Sequence, residues 1–193
     1  MKTSFLLLIS ILALAGCTSA PLNAPPPAST SDSNSVLLLE SPVAIPSKAQ
    51  TVLKSQPGSK VKGLVHFTEN NGVMKVEVMV EGLKPGPHGF HIHEIGDCSK
   101  PDYSSAGGHF NPTKNHHGSL NTKTRHAGDF GNLIANAKGK AVLTLEVSDL
   151  TLKPGATSIL GKSVIVHRDQ DDLKSQPAGN SGPRIACGVI EAL

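Results

Sequence analysis

"KVKGLVHFTENNGVMKVEVMVEG", residues 60–82, alternates apolar and polar side chains with a period of two. Val61, Gly63, Val65 and Phe67 share one face of an extended chain. Met74, Val76, Val78 and Val80 share one face of the next run, with Lys75 and Glu77 pointing away. Successive side chains of a strand point to opposite faces, so each run predicts a strand with one buried side. Asn70-Asn71-Gly72 between them is a turn signal.

Working outward, Leu143, Leu145 and Val147 repeat the pattern against Thr144 and Glu146. Further turn signals lie at Lys84-Pro85-Gly86, Ala137-Lys138-Gly139 and Lys153-Pro154-Gly155. Neither a helical stripe nor a fixed-period repeat is evident. Strands are expected over 49–54, 60–67, 73–82, 89–94, 128–135, 140–147, 163–167 and 186–190. The prediction is all-β: an eight-stranded antiparallel barrel or sandwich. Two long stretches, 95–127 and 168–185, fall outside these strands, and long loops on a rigid sheet are where function concentrates.

The chain opens with Lys2 and a largely apolar run over 5–14, ending Leu14-Ala15-Gly16-Cys17. Ten residues are too few for a membrane span, which takes about 20, so residues 1–16 are expected to be an export signal. The ending resembles a bacterial lipoprotein signal, implying lipidation of Cys17 and a membrane partnership through that anchor. Thr18 and Ser19, with no Asp there, resemble an outer-membrane address, so a periplasmic, lipid-anchored location in a bacterial envelope is expected. Residues 17–47 are rich in Pro, Ser, Ala and Asn and predict a tether, interrupted by the apolar run 36–39. Residues 48–193 have the length of one domain. With Cys17 used by lipid, Cys98 and Cys187 are left for an oxidising compartment and are expected to pair.

Formal charge is +3, with no block of like charge, no Trp and one Tyr. Neither a nucleic-acid field nor a base-stacking platform is present, so no nucleic-acid partner is expected.

"GFHIHEIGDC", residues 89–98, puts His91 and His93 on one face of a strand. The first long stretch adds His109, His116, His117, His126 and Asp129, and "SVIVH" ends in His167. These are too many nitrogens for one zinc, which takes four ligands, so two ions fit better. Imidazole suits copper and zinc alike. Three nitrogens with a carboxylate suit tetrahedral zinc, and nitrogens near one plane suit Cu(II).

Together "GFHIHEIGDC", "GGHFNP", "RHAGDFGN" and "PRIACGVI" resemble the copper/zinc superoxide dismutase family, in its exported bacterial form. The resemblance spans about 48–193 and implies a Greek-key barrel with one copper and one zinc per subunit. It implies copper ligands His91, His93, His109 and His167, and zinc ligands His109, His117, His126 and Asp129, with His109 bridging. Asp171 is implied to tie His91 to His117, and Cys98 to pair with Cys187. Arg184 is implied to receive superoxide beside copper. The implied chemistry is alternate reduction and reoxidation of copper, giving oxygen and then hydrogen peroxide, with His109 carrying a proton between the halves.

His88 is expected to hydrogen-bond backbone, and His66 to be exposed. His116 adjoins His117 and could compete for zinc, although the register from His109 favours His117. The loop between Asp172 and Arg184 is short with Lys174 its sole charge, leaving Lys114, Lys123, Arg125 and Arg168 as candidates for anion steering. A homodimer is compatible with the sequence and not required by it. A copper-delivery protein and an adhesive sandwich with vestigial histidines are the rival classes, and substituting His109 separates both from an enzyme.

Overall fold

The computed structural model describes residues 45–193, so the expected export signal 1–16, Cys17 and the apolar run 36–39 lie outside the described residues. Among the described residues nine strands are present: β1 (Lys48–Ser55), β2 (Lys62–Asn70), β3 (Val73–Glu81), β4 (Gly86–His93), β5 (Asp129–Ala135), β6 (Ala141–Val147), β7 (Ser163–His167), β8 (Arg184–Val189) and β9 (Glu191–Ala192). Eight form the expected antiparallel, nearly closed Greek-key barrel. The ninth, a two-residue strand, pairs Ala192 with Ala49 and was not anticipated.

The hairpin behind this fold is β2–β3, with Val65 opposite Val78 and Phe67 opposite Val76. Asn71 and Gly72 both have positive φ, 50° and 79°, the two-residue turn whose twist matches that of paired strands. Val65, Phe67, Met74, Val76 and Val80 are all fully buried. Each such side chain contributes roughly 1.5–3 kcal/mol relative to exposure.

Strand order is β5-β4-β7-β8-β1-β2-β3-β6. The meander β1–β2–β3 is followed by a crossing to β4, and β6 then returns beside β3. No ladder joins β5 to β6, so the barrel has a seam there. This explains Leu143: expected on the buried face of β6, it is half-buried at the seam strand. His66 is another correction. It is half-buried rather than exposed, flanked across the sheet by Gln50 and Glu77. Strand β4 begins three residues early, at Gly86, because Pro87 and His88 pair with Ile134 and Leu133 of β5. Strand β8 begins at Arg184, which stands opposite His167. Residues 148–162 form a third irregular connection, in which Thr151 bridges Ser158.

Strand β4 is buried on both sides from His88 to His93. Phe90 and Ile92 enter the barrel core with Val164 and Val166 of β7, leaving His91 and His93 outside the barrel. Ile165 and Cys187 lie outside it too, in a second apolar cluster with Tyr103 and Ala106 of the first long loop. That loop, carrying a 3-10 turn at Ser104–Ala106, packs onto the β4-β7-β8 face and buries His109, His117 and His126.

Candidate metal centre

Alternation along β4 aims His91 and His93 the same way, and β7 ends beside them in His167. The first long loop returns along β4, where His109 bridges His93 and the Phe110 N–H donates to the Ile92 carbonyl at 2.8 Å. Backbone pairing thus sets His109 among the strand histidines. The His91 and His109 rings stack with centroids 3.9 Å apart.

Two groups result. His91, His93, His109 and His167 form one, and His109, His117, His126 and Asp129 the other, with the potential ligand atoms of each group within 4.8 Å of one another. All are buried. In the second group His109 Nδ1 lies 2.8 Å from Asp129 Oδ1, His117 Nδ1 lies 3.1 Å from Oδ2, and His126 Nδ1 lies 3.2 Å from Oδ1. His109 therefore presents Nδ1 to one group and Nε2 to the other.

Buried polar atoms are nearly always partnered. Among the described residues seven buried side-chain nitrogens and oxygens have no hydrogen-bond partner, and six of them are ring nitrogens in these two groups: His91 Nδ1, His93 Nε2, His109 Nε2, His117 Nδ1, His126 Nδ1 and His167 Nε2. The first group points four such nitrogens inward. The second offers three imidazoles and a carboxylate. These donor sets fit copper and zinc respectively.

The outward nitrogens are held. His93 Nδ1 donates to the Gly107 carbonyl and His167 Nδ1 to the Gly182 carbonyl, each at 3.0 Å. Asp171 accepts from His91 Nε2 at 2.7 Å and from His117 Nε2 at 2.9 Å, joining the two groups through one carboxylate. Fixing the outer nitrogen selects which inner nitrogen is free to bind a metal.

Burial holds the pKa of His91 and His93 below the ordinary value, and takes His109 down to about 4 and His167 to about 3. His117 behaves oppositely. Burial lowers it, but the carboxylates of Asp129 and Asp171 outweigh that and raise it to about 9. Burial raises the two carboxyls, yet hydrogen bonds from the histidines hold both well below the usual range.

Arg184 is half-buried beside these groups, donating through Nη1 to the Tyr103 carbonyl and through Nη2 to the Gly107 carbonyl. Cys98 and Cys187 are bonded, with Cα atoms 5.8 Å apart across 89 residues, tying the loop to β8. His88 sits between the carbonyls of Lys84 and His167, at 2.8 and 3.0 Å, and belongs to neither group. His116 is exposed and His117 points inward. Arg125 cannot serve in steering as expected: it is buried, donating to the carbonyls of His126 and Ala127 and pairing with Asp149. Arg168 is exposed but paired with Asp169 at 2.9 Å, whereas Lys114, Lys123 and Lys174 are exposed.

Several supports escaped the sequence reading. Asn132 brackets Asp171, accepting from its N–H at 2.8 Å and donating to its carbonyl at 2.9 Å. Gly179, with φ 64°, packs so closely that a Cβ there would overlap Asp171 Oδ1. Gln176 bonds both backbone groups of His117. Neither periodicity nor metal-ligand spacing marks such residues, because their partners are backbone groups brought close by loop folding.

The family model described as copper/zinc superoxide dismutase (SODC) matches residues 61–190. A curated relative, superoxide dismutase [Cu-Zn] 5 of Dictyostelium discoideum, is 41% identical over 141 residues, covering 69% of this chain and 91% of its own. A crystal structure described as that of the clock protein EA4 superposes with a TM-score of 0.71 at 36% identity, covering 78% of this chain and 97% of that one. Two histidine groups sharing one imidazole and matching donor chemistry agree with these likenesses, and the chain belongs to the copper/zinc superoxide dismutase family.

Proposed function

We propose that this chain disproportionates superoxide outside the cytoplasm of a bacterium, as an envelope lipoprotein anchored at Cys17. Copper is assigned to His91, His93, His109 and His167, and zinc to His109, His117, His126 and Asp129. The observation carrying this reading is His109, a buried imidazole that turns one nitrogen to each group.

When bound, copper supplies the one-electron chemistry by which two superoxide ions and two protons become oxygen and hydrogen peroxide. The protein supplies the geometry and relays protons drawn from solvent. Gly107, Gly182 and Asp171 fix the outer nitrogens of His93, His167 and His91, so these rings need not reorient during turnover. Arg184, half-exposed and held by two carbonyls, offers a fixed positive charge to a small anion. His109 Nε2 is the atom suited to hold and deliver a proton, while Asp129 keeps its Nδ1 side in place.

Export is supported by the ending Leu14-Ala15-Gly16-Cys17 and by the Cys98–Cys187 bond, which suits an oxidising compartment. An outer-membrane address rests on Thr18 and Ser19. The test is dismutation by the exported full chain, with copper and zinc counted on the same sample. Cyanide-sensitive turnover with about one ion of each kind per chain is expected. A fully metallated chain without turnover overturns the enzymatic reading and favours copper handling. For the anchor, Cys17→Ser is expected to move the protein from the membrane fraction to the soluble fraction. Unchanged membrane association would refute lipidation at Cys17.

A further inference from the structure

His117 differs from the other residues of its group in how its backbone is held. Asp129 begins β5, His109 bridges β4, and the His126 N–H donates to Asp129 Oδ2 at 3.0 Å. His117 lies in no strand. Its N–H donates to Gln176 Oε1 at 2.8 Å, and its carbonyl accepts from Gln176 Nε2 at 2.9 Å. One carboxamide therefore satisfies both backbone groups of a buried ring's residue, from 59 positions away in sequence. The Gln176 Nε2 also donates to the Lys174 carbonyl at 3.2 Å, orienting the amide within its own loop.

The same loop holds the His117 side chain. Asp171 accepts from Nε2, and Gly179 allows Asp171 and His117 to approach each other. The second long loop thus grips His117 at the ring and at the backbone. Gln176 is itself exposed, so replacing it removes its two hydrogen bonds to His117 and the one to Lys174 without opening the core.

We propose that Gln176 is the positioning residue that aims His117 at zinc, so that the second long loop controls how tightly zinc is kept. This rests on assigning zinc to the His117 group. A backbone free to shift would let the Nδ1 of His117 leave the point where His109, His126 and Asp129 converge. Loss of partners that orient a ligand typically weakens metal binding 10- to 100-fold.

The experiment loads the full-length chain with copper and zinc and follows zinc transfer to a chromogenic chelator for the wild type, Gln176→Ala, Gln176→Glu and His117→Ala. Copper content and the absorption spectrum of cobalt(II) substituted for zinc are read in parallel. Gln176→Ala is expected to weaken zinc retention about tenfold or more, keep its copper and alter the cobalt spectrum. Gln176→Glu keeps the acceptor for the His117 N–H and is expected to fall between that variant and the wild type. Zinc retention in Gln176→Ala within twofold of the wild type, or equal loss of copper and zinc, overturns the proposal. If His117→Ala retains zinc as the wild type does, the site assignment itself fails, a result separate from failure of Gln176 alone.

Discussion

His93 and Arg184 share one acceptor: the Gly107 carbonyl takes the Nδ1–H of His93 at 3.0 Å and an Nη2–H of Arg184 at 2.6 Å. An imidazole of the proposed copper group and the proposed anion-receiving guanidinium are thus registered to one peptide. That peptide follows the 3-10 turn Ser104–Ala106, in the loop bonded to β8 through Cys98 and Cys187.

Replacing Arg184 with Met should lower kcat/KM about tenfold at low salt and flatten its salt dependence, because a local positive charge raises anion capture and is screened by ions. Arg184→Lys keeps the charge but loses the fork that spans two carbonyls, so an intermediate rate is expected. Stopped-flow dismutation at several ionic strengths, with metal content matched, is the check. An Arg184→Met rate equal to that of the wild type would remove this residue from the mechanism.

Asp171 links His91 to His117, so Asp171→Ala should impair both metals. Removing a carboxylate that orients ligand imidazoles weakens metal binding roughly 10- to 100-fold. Competition titrations with chelators selective for each ion measure this directly. A variant that binds both ions normally would show that the loop carbonyls and Gln176 suffice.

Opening the Cys98–Cys187 bridge should destabilise the metal-free domain by up to about 4–5 kcal/mol, the loop-closure value for so long a loop. For a domain of this size that corresponds to a Tm lower by roughly 10–15 °C. Calorimetry of Cys98→Ser against the oxidised wild type tests this figure. The metallated variant should also lose turnover out of proportion to metal loss, because the Gly107 carbonyl is no longer tethered near Arg184.

Acid should destabilise the metal-free protein before it protonates the carboxylates. His109 and His167 have folded pKa values of about 4 and about 3 through burial, against an ordinary 6.5, so the unfolded chain binds more protons as pH falls below that value. Stability from these two is present above pH 6.5 and lost on the way down. His117, raised to about 9, contributes stability below pH 6.5 that is lost as pH rises through 9. The Tm of the metal-free chain should therefore peak near neutrality and fall on both sides. A flat profile from pH 7 to pH 4 would contradict the burial of neutral imidazoles.

Much of this protein was legible before folding was considered. Period-two alternation around Val65, Phe67, Val76 and Val78 determined the strands, because a half-buried strand must alternate, and Asn71-Gly72 determined the turn because it tolerates two positive φ angles. Histidine spacing marked the metal chemistry, since ligand residue types are scarce and their local geometry is simple. Tertiary structure alone decided the rest. Arg125 is a buried support and not a surface charge, His66 is half-buried, and His116 faces away while His117 faces in. The carbonyls of Gly107 and Gly182, the Asn132 brace and the Gln176 clamp depend on where two irregular loops meet. Backbone acceptors have no residue-type signature, so their role appears once the chain has closed around them.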